Sequence, residues 1–132
     1  MTIATCIQLP KGVVRRTCAE ATAIPKGTIM KLTDGNVAIA SSANNDPFAG
    51  FAIEEFKGGE GLTEISCAMD GRWSVTTTAA AIGIGVPVAI GGANAVRAAV
   101  EADTVLGDII GKNLTTIGGG GGTAIIDAGS IV

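Results

Sequence analysis

The residue types that most often carry chemistry in proteins are scarce in this chain of 132 residues. It contains no histidine and no tyrosine, which excludes a catalytic triad or a metal site built on imidazole. The three cysteines, Cys6, Cys18 and Cys67, include no Cys-x-x-Cys pair of the kind that holds zinc. Free thiols in a reducing compartment are one interpretation, and a single disulfide between Cys6 and Cys18 is the other.

The acidic residues lack the spacing of a catalytic or calcium-binding site. They include Glu54, Glu55, Glu60, Glu64, Asp70, Glu101, Asp103, Asp108 and Asp127. A glycosidase needs two carboxylates in one cleft, commonly among aromatic side chains, and this chain has one Trp and three Phe. No Asp-x-Asp-x-Asp-Gly loop for calcium is present. We interpret these carboxylates as solvated charges on strand edges.

Glycine-rich runs raise the question of a phosphate-binding loop. Gly111-Lys-Asn113 lacks the hydroxyl that follows lysine in a Walker A loop, and no lysine follows Gly118–Gly122. Pro87 removes an N–H that a phosphate cradle after the Gly-Ile-Gly run would use. These runs are therefore more typical of turns. The sequence predicts no enzyme activity, no catalytic residues, no metal and no cofactor.

Charge and hydropathy limit the kinds of partner. Nine basic and 12 acidic residues give a net charge of -3, so the chain lacks the basic surface that nucleic-acid binding requires. Residues 73–96 carry no charge over a length that could cross a bilayer. Pro87, Asn94 and several glycines and threonines within this stretch favour a buried strand-turn-strand. We predict neither nucleic acid nor membrane as a partner.

The elements that would position these residues are predicted to be short strands. Glycine accounts for 20 residues, which disfavours helices, while an apolar content of 47% supports a folded core. Strand-like runs are bounded by turn residues, as at Asp34-Gly-Asn36 between residues 28–32 and 37–40. Recurrent short runs of this kind are typical of a small β-barrel or sandwich. The predicted fold class is all-β.

The second half of the chain is similar to the first. Gly27-Thr-Ile-Met-Lys-Leu32 is matched by Gly85-Val-Pro-Val-Ala-Ile90, and later segments match at a similar offset of about 60 residues. We predict two related β-units in tandem, residues 24–76 and 82–129; chance similarity in Gly- and Ala-rich text is the alternative. Residues 93–106 could form a short helix, but the repeat favours a strand and a loop.

The N-terminal residues have no counterpart in the second unit. We predict that residues 1–16 form an extended arm and that residues 17–132 form a single compact β domain. The arm carries apolar residues that a free segment would leave in water, together with basic residues. These residues are Ile3, Ile7, Leu9, Lys11, Val13, Val14, Arg15 and Arg16. The arm is therefore expected to contact a neighbouring subunit.

The one tryptophan, Trp73, lies between Arg72 and Ser74 after a tight turn. It is either a core residue of the first unit or an anchor of an interface, since Trp and Arg are enriched at binding hot spots. Both interpretations remain open at this point.

Four segments resemble a known class of proteins. They are Ile24-Pro-Lys-Gly-Thr-Ile-Met-Lys-Leu-Thr-Asp34, Phe48-Ala-Gly-Phe-Ala-Ile53, Asp70-Gly-Arg-Trp73 and Gly85-Val-Pro-Val-Ala-Ile-Gly-Gly-Ala-Asn94. Together with the two β-units and the glycine-rich loops, they resemble the capsid decoration, or cement, proteins of tailed viruses. The resemblance covers residues 12 to 129, and residues 1–16 do not match firmly.

The resemblance implies a structural virion protein, made in the host cytoplasm, on the outer surface of an icosahedral capsid. It would bridge neighbouring major capsid subunits and stabilise the shell, as a homo-oligomer for which a trimer is favoured. Contact residues for the capsid or a neighbouring subunit are expected at Ile3, Ile7, Arg15, Arg16, Arg72 and Trp73. The alternatives are a cellular β-barrel module that binds a small ligand or peptide, and an enzyme subunit that borrows residues from a partner.

Overall fold

A computed structural model of the chain describes residues 3–8, 12–18, 22–44, 46–59, 63–100, 103 and 109–129. The described part is built from short β-strands, which confirms the all-β prediction. In chain order they are β1 (Thr5–Gln8), β2 (Val13–Thr17), β3 (Ile29–Thr33), β4 (Val37–Ala40), β5 (Phe48–Ala52), β6 (Glu64–Ala68), β7 (Gly71–Thr77), β8 (Pro87–Gly92), β9 (Ala95–Ala98), β10 (Ile109–Asn113) and β11 (Thr123–Ala128).

The first five-stranded barrel has the order β2-β4-β3-β5-β6 around its ring. Strand β2 pairs antiparallel with β6 from Val13↔Ala68 to Thr17↔Glu64, and a parallel bridge between Thr17 and Val37 closes the ring. Alternate residues of each strand point inward and fill the barrel with small and aliphatic side chains. The buried set is Cys18, Ile24, Met30, Ala38, Ala49, Ala52, Phe56, Ile65 and Cys67.

The second barrel has the order β7-β9-β8-β10-β11, and a parallel pairing at Thr76↔Ala95 and Thr77↔Val96 closes it. Strand β1 adds to the outer side of β7 in antiparallel orientation, with Thr5 opposite Ser74. Strand β1 therefore lies on the second barrel, while β2, the next strand in the chain, belongs to the first. Residues 73–96 comprise most of β7, the connection to β8, β8 itself and the start of β9, which agrees with the predicted strand-turn-strand.

The two barrels are structural repeats of each other. Strands β2 to β6 correspond in order to β7 to β11, and every pairing of the first ring recurs with the same direction in the second. An isolated antiparallel bridge, Ile24↔Phe56, recurs as Ile82↔Ile117. The predicted tandem of two β-units is confirmed, although its limits differ: β2 opens the first barrel and β7 opens the second.

The predicted N-terminal arm is wrong for the residues that the structure describes within it. Residues 13–16 belong to β2, whose backbone pairs with β6 along its full length, and residues 5–8 pair with β7. Strand pairing satisfies backbone groups that a free arm would leave to water. Leu9 and Lys11 lie outside the described residues. Residues 95–98, for which a helix was the alternative, form β9 as the repeat predicted.

The two barrels share a hydrophobic seam. The indole of Trp73 in β7 is 2% exposed and stacks on Phe51 of β5, with ring centroids 4.3 Å apart and planes 9° apart. The side chain of Asn94, in the β8–β9 turn, accepts a hydrogen bond from the Ile29 N–H at 2.9 Å. The N–H of Asn94 donates to the hydroxyl of Ser41 at 3.0 Å. Stacking and hydrogen bonds thus fix one barrel against the other.

Candidate interaction surface

The predicted contact residue Trp73 does not face solvent. Its indole is enclosed in the seam, and its Nε1–H donates to the Asp70 carbonyl at 3.0 Å. A side chain that is 2% exposed has no surface to offer a partner. The core interpretation of Trp73 is therefore correct as to burial, although β7 belongs to the second barrel and not to the first unit, and the interface-anchor interpretation is wrong.

Arg72 points away from the barrel interior, because side chains alternate along β7. Its Nε lies 3.3 Å from Oδ1 of Asp127 on the adjacent strand β11, and both side chains are well over a third exposed. An exposed pair of this kind contributes little to stability. The guanidinium is therefore accessible to a partner.

Arg15 and Arg16 lie on opposite faces of β2. Arg15 faces outward, where its guanidinium contacts the carboxylates of Glu54 and Glu64 at 3.3 and 3.8 Å. Arg16 is half-buried and donates to Oδ1 of Asn36 at 2.6 Å and to the Ala49 carbonyl at 3.3 Å. Arg15 is therefore an exposed candidate for contact, whereas Arg16 ties β2 to the rest of its own barrel.

Ile3 precedes β1 and Ile7 lies within it, and the two side chains differ in exposure. Ile7 sits at an irregularity in the β1–β7 register and is 52% exposed. Ile3 is half-buried and lines a crevice of about 310 Å³ between β1 and the first barrel. The other lining residues are Ala4, Thr5, Cys6, Lys26, Gly27 and Trp73. The six predicted contact residues therefore do not form one surface: Ile7 and Arg72 lie on the β1–β7 side, and Arg15 lies on β2.

The cysteines are all free, so the alternative of a Cys6–Cys18 disulfide is wrong. The fold separates these residues, since Cys6 is in β1 on the second barrel and Cys18 is in the core of the first. Burial raises the pKa of the Cys67 thiol to about 11, and burial also raises the pKa of Cys18. Thiols held in their neutral form are poor nucleophiles.

Among the described residues, no three acidic or cysteine side chains cluster closely enough to hold a metal ion. Within the same part of the chain, no helix has the length and apolar character to cross a membrane.

The six expected contact residues leave out several exposed apolar side chains. Ile84 is 68% exposed in the turn before β8, and Val13 and Val14 of β2 are 46% and 37% exposed. Val13 and Val14 were predicted to lie in the arm, among the apolar residues whose exposure implied contact with a neighbouring subunit. In the structure they lie in a barrel strand, β2, which pairs with β6 along its length and, among the described residues, pairs on its other side at Thr17.

Compared with known proteins, the sequence matches no protein-family profile and no curated protein at a significant level. The function is therefore inferred from the residues and the fold described above.

Proposed function

We propose that this chain is a structural protein of a tailed-virus particle, which binds the outer surface of an icosahedral capsid and bridges its major capsid subunits. The observation that carries the proposal is the placement of the segments that resemble cement proteins. Ile24–Asp34 and Gly85–Asn94 span the equivalent strands β3 and β8 of the two barrels. The resemblance thus follows the internal repeat of the fold rather than isolated stretches of similar composition.

Bridging requires a compact body with several weak contact regions. A standard interface buries about 800 Å² per partner, so a body of this size can contact two or three neighbours. Simultaneous contacts raise the effective concentration of each one, and a protein bound only to the assembled lattice stabilises that lattice. Ile7, Arg15 and Arg72 are the exposed members of the expected contact set.

The remaining parts of the proposal follow from this role. The chain acts without catalysis and without a cofactor, assembles as a homo-oligomer with a trimer favoured, and is made in the host cytoplasm. A net charge of -3 keeps it from binding the packaged genome. Its final location is the outer surface of the virion.

The test compares full heads that carry the protein with heads from which it has been stripped. Decorated heads are expected to release DNA at a higher temperature, and mass spectrometry of purified particles should find hundreds of copies. Equal release temperatures would contradict the stabilising role, and a few copies per particle would contradict the decoration role.

Rebinding to stripped heads tests the contact region. Ile7→Asp is expected to lower occupancy at least about tenfold, because the charge must be desolvated on contact. Ile84→Asp is the matched control, since Ile84 is also an exposed isoleucine, at 68% against 52% for Ile7, and lies outside the expected contact set. Equal occupancy of both variants would remove Ile7 from the contact region while leaving the capsid role to the heating experiment.

A second candidate function is a cellular module that binds a small ligand, favoured by the crevice beside β1. Its volume of about 310 Å³ is at the lower end of the range of ligand sites. A dye such as anilinonaphthalene sulfonate should then bind to the chain with a defined stoichiometry. Cys6→Leu, which fills the crevice, should abolish the binding; dye binding that is absent or unaffected would argue against this candidate.

A further inference from the structure

Strand β2 has one side that the rest of the described chain leaves uncovered. It pairs with β6 at every residue from Val13 to Thr17, and on its other side the one bridge in the described residues joins Thr17 to Val37. Val13, Val14 and Arg15 therefore form a short open edge, which we call the β2 edge. The valine side chains there are 46% and 37% exposed.

The backbone groups of the β2 edge point outward in a predictable order. The Met69 N–H donates to the Gly12 carbonyl, and the Cys18 N–H donates to the Thr63 carbonyl. In an antiparallel pair such hydrogen-bonded positions alternate, so even-numbered residues of β2 bond to β6. The N–H and C=O groups of Val13 and Arg15 consequently point to the open side.

The internal repeat shows what an edge of this kind accepts. Val13, Val14 and Arg15 correspond to Arg72, Trp73 and Ser74 of β7, since both triplets precede the residue that forms the parallel bridge by the same spacing. In the second barrel that edge is covered by β1, an antiparallel strand. The same edge of the first barrel thus has the geometry of an antiparallel strand acceptor.

We propose that the β2 edge pairs antiparallel with the β2 edge of a second copy of this chain, across a two-fold axis at Val14. In this register Val13 of one copy lies opposite Arg15 of the other, which gives four backbone hydrogen bonds. The two copies of Val14 face each other, and Arg16 lies opposite Gly12. This interface goes beyond the proposed capsid role and does not depend on it.

Side-chain complementarity favours this register over its neighbours. The exposed side chain of Arg15 meets the smaller Val13. Arg16 lies opposite Gly12 and keeps its hydrogen bonds to Asn36 and Ala49 of its own barrel. A shift that set Arg15 opposite its own copy would place like charges face to face, which is destabilising. The register at Val14 also uses all four open backbone groups, and unpaired edge groups are what drive strand addition.

The proposed contact is small, so we expect its affinity to be low. An edge of three residues buries much less than the about 800 Å² per partner of a standard interface. We therefore expect a weak association that appears as the protein concentration approaches about 1 mM.

The first experiment is analytical ultracentrifugation of Val13→Pro and Val13→Thr beside the wild type, over about 10 µM to 1 mM. Proline removes an N–H that points to the open side, and an outward-facing proline is tolerated at a sheet edge. Threonine keeps that N–H and the branched shape. The average mass of the wild type and of Val13→Thr is expected to rise toward twice that of Val13→Pro as the concentration increases, while Val13→Pro stays at the lower mass. All three proteins should show a cooperative thermal unfolding transition.

The second experiment tests the two-fold axis directly with opposite charges at Val14. Val14→Lys and Val14→Glu alone should each stay at the lower mass, because like charges then face each other. An equimolar mixture should associate at least about tenfold more tightly than either variant alone. This rescue is specific to a two-fold contact and does not depend on the proline variant.

Three outcomes would overturn the proposal. They are an unchanged mass of the wild type up to the highest concentration, association that Val13→Pro does not weaken, and association in which mixing the charged variants gives no rescue. Association that Val13→Pro abolishes but that shows no charge rescue would mean that the β2 edge pairs in a register other than the one centred on Val14.

Discussion

Individual side chains show how strongly local burial sets chemical behaviour in this chain. Cys6 is half-buried in β1 and donates weakly to the Gln8 carbonyl at 3.3 Å, whereas Cys18 and Cys67 are enclosed in the first barrel. Reagents reach a thiolate only where solvent reaches the sulfur, and burial raises the pKa of Cys67 to about 11. The three thiols of one small protein are therefore not equivalent.

Thiol titration with a disulfide reagent should resolve this difference. At pH 8 the native protein is expected to react at Cys6, and all three thiols should react after unfolding in guanidinium. Cys6→Ser should remove the native reaction, whereas Cys67→Ser should leave it unchanged. Rapid reaction of the native Cys6→Ser variant would show that the first barrel opens far more readily than its buried core indicates.

At Asp46, hydrogen bonds and a nearby lysine together lower the pKa of the carboxyl by more than burial raises it. Burial alone would raise the pKa of this carboxyl, but the N–H groups of Ser42 and Ala43 donate to it at 2.9 Å and Lys31 lies 3.6 Å away. The pKa is therefore lowered from its ordinary value of 3.8. Because folding lowers the pKa, the charged carboxylate stabilises the protein above the ordinary value, and this contribution is lost as pH falls through the folded value.

We expect Asp46→Asn to lower the free energy of unfolding by about 1 to 2 kcal/mol at pH 7. The difference from the wild type should shrink toward zero in urea unfolding curves measured near pH 2. Asp34, exposed in the β3–β4 turn, provides the control, and Asp34→Asn should change stability by less than about 0.5 kcal/mol. A deficit of Asp46→Asn that is constant with pH would contradict an electrostatic origin.

The sequence allowed the state of the cysteines to be predicted, but not the environment of Trp73. The odd number of cysteines favoured free thiols, and the structure has all three free. The environment of Trp73 could not be decided, because composition does not say which strand lies over it. Phe51, its stacking partner, belongs to the other barrel, and such a long-range contact leaves no local signal.

Among the elements, the β8–β9 turn has taken on a role that its counterpart lacks. Asn36 and Asn94 hold equivalent places in the two hairpins, with φ values of 64° and 53°, a conformation that asparagine tolerates well. Asn94 bonds the first barrel through Ile29 and Ser41, whereas Asn36 accepts from Arg16 within its own barrel. The β8–β9 turn therefore holds the two barrels together through Asn94, which we call the clamp, whereas the β3–β4 turn stabilises the first barrel alone through Asn36.

Replacing the Asn94 side chain should therefore destabilise the seam. Asn94→Gly keeps the positive φ but removes the acceptor, so the fully buried Ile29 N–H loses its partner at a cost of about 1 to 3 kcal/mol. Denaturant unfolding measures the change. Asn36→Gly leaves no buried N–H unpaired and should cost less than about 1 kcal/mol; equal losses at both turns would contradict the clamp.

Hairpins were the elements most accessible to sequence reasoning. The turn at Asp34-Gly35 and the strands on either side of it were predicted from local residue types and are present as β3 and β4. Strands β1 and β2 fall in residues that were predicted as an arm, because no counterpart to them was found in the sequence of the second unit. Strand β1 pairs with β7 and β2 pairs with β6, and the paired residues are 47 to 69 positions apart in the sequence. Pairing over that distance depends on the fold and leaves no local pattern in the sequence.

At the scale of the whole molecule, one row of side chains explains why the two barrels pack in this order. Ile29, Phe51 and Ala68 lie side by side across β3, β5 and β6 on the outside of the first barrel, and all are fully buried under the second. The equivalent row of the second barrel is Pro87, Lys112 and Asp127, which stays half-exposed. The apolar row must be covered and the polar row must stay in water, so the tandem is head-to-tail rather than two-fold symmetric.

The shared core that results should make the two barrels unfold together. Phe51→Ala removes the ring that stacks on Trp73, at a cost of about 3 to 5 kcal/mol, and is expected to separate the unfolding of the barrels. Trp73 is the only tryptophan, so its fluorescence reports on the seam while far-UV circular dichroism reports on all strands. In the wild type the two signals should change at the same denaturant concentration.

In Phe51→Ala the fluorescence transition should come first, at a lower denaturant concentration than the dichroism transition. Lys112→Ala, the same truncation at the equivalent position of the second barrel, should keep the transitions coincident and change stability by less than about 0.5 kcal/mol. Phe51 and Lys112 occupy equivalent positions in the two barrels, but only Phe51 packs against the other barrel. Comparing the two variants therefore separates the effect of losing the contact between the barrels from the effect of truncating a side chain at this position. Coincident transitions in both variants would mean that the clamp at Asn94 and the β1 pairing hold the barrels together without the aromatic stack.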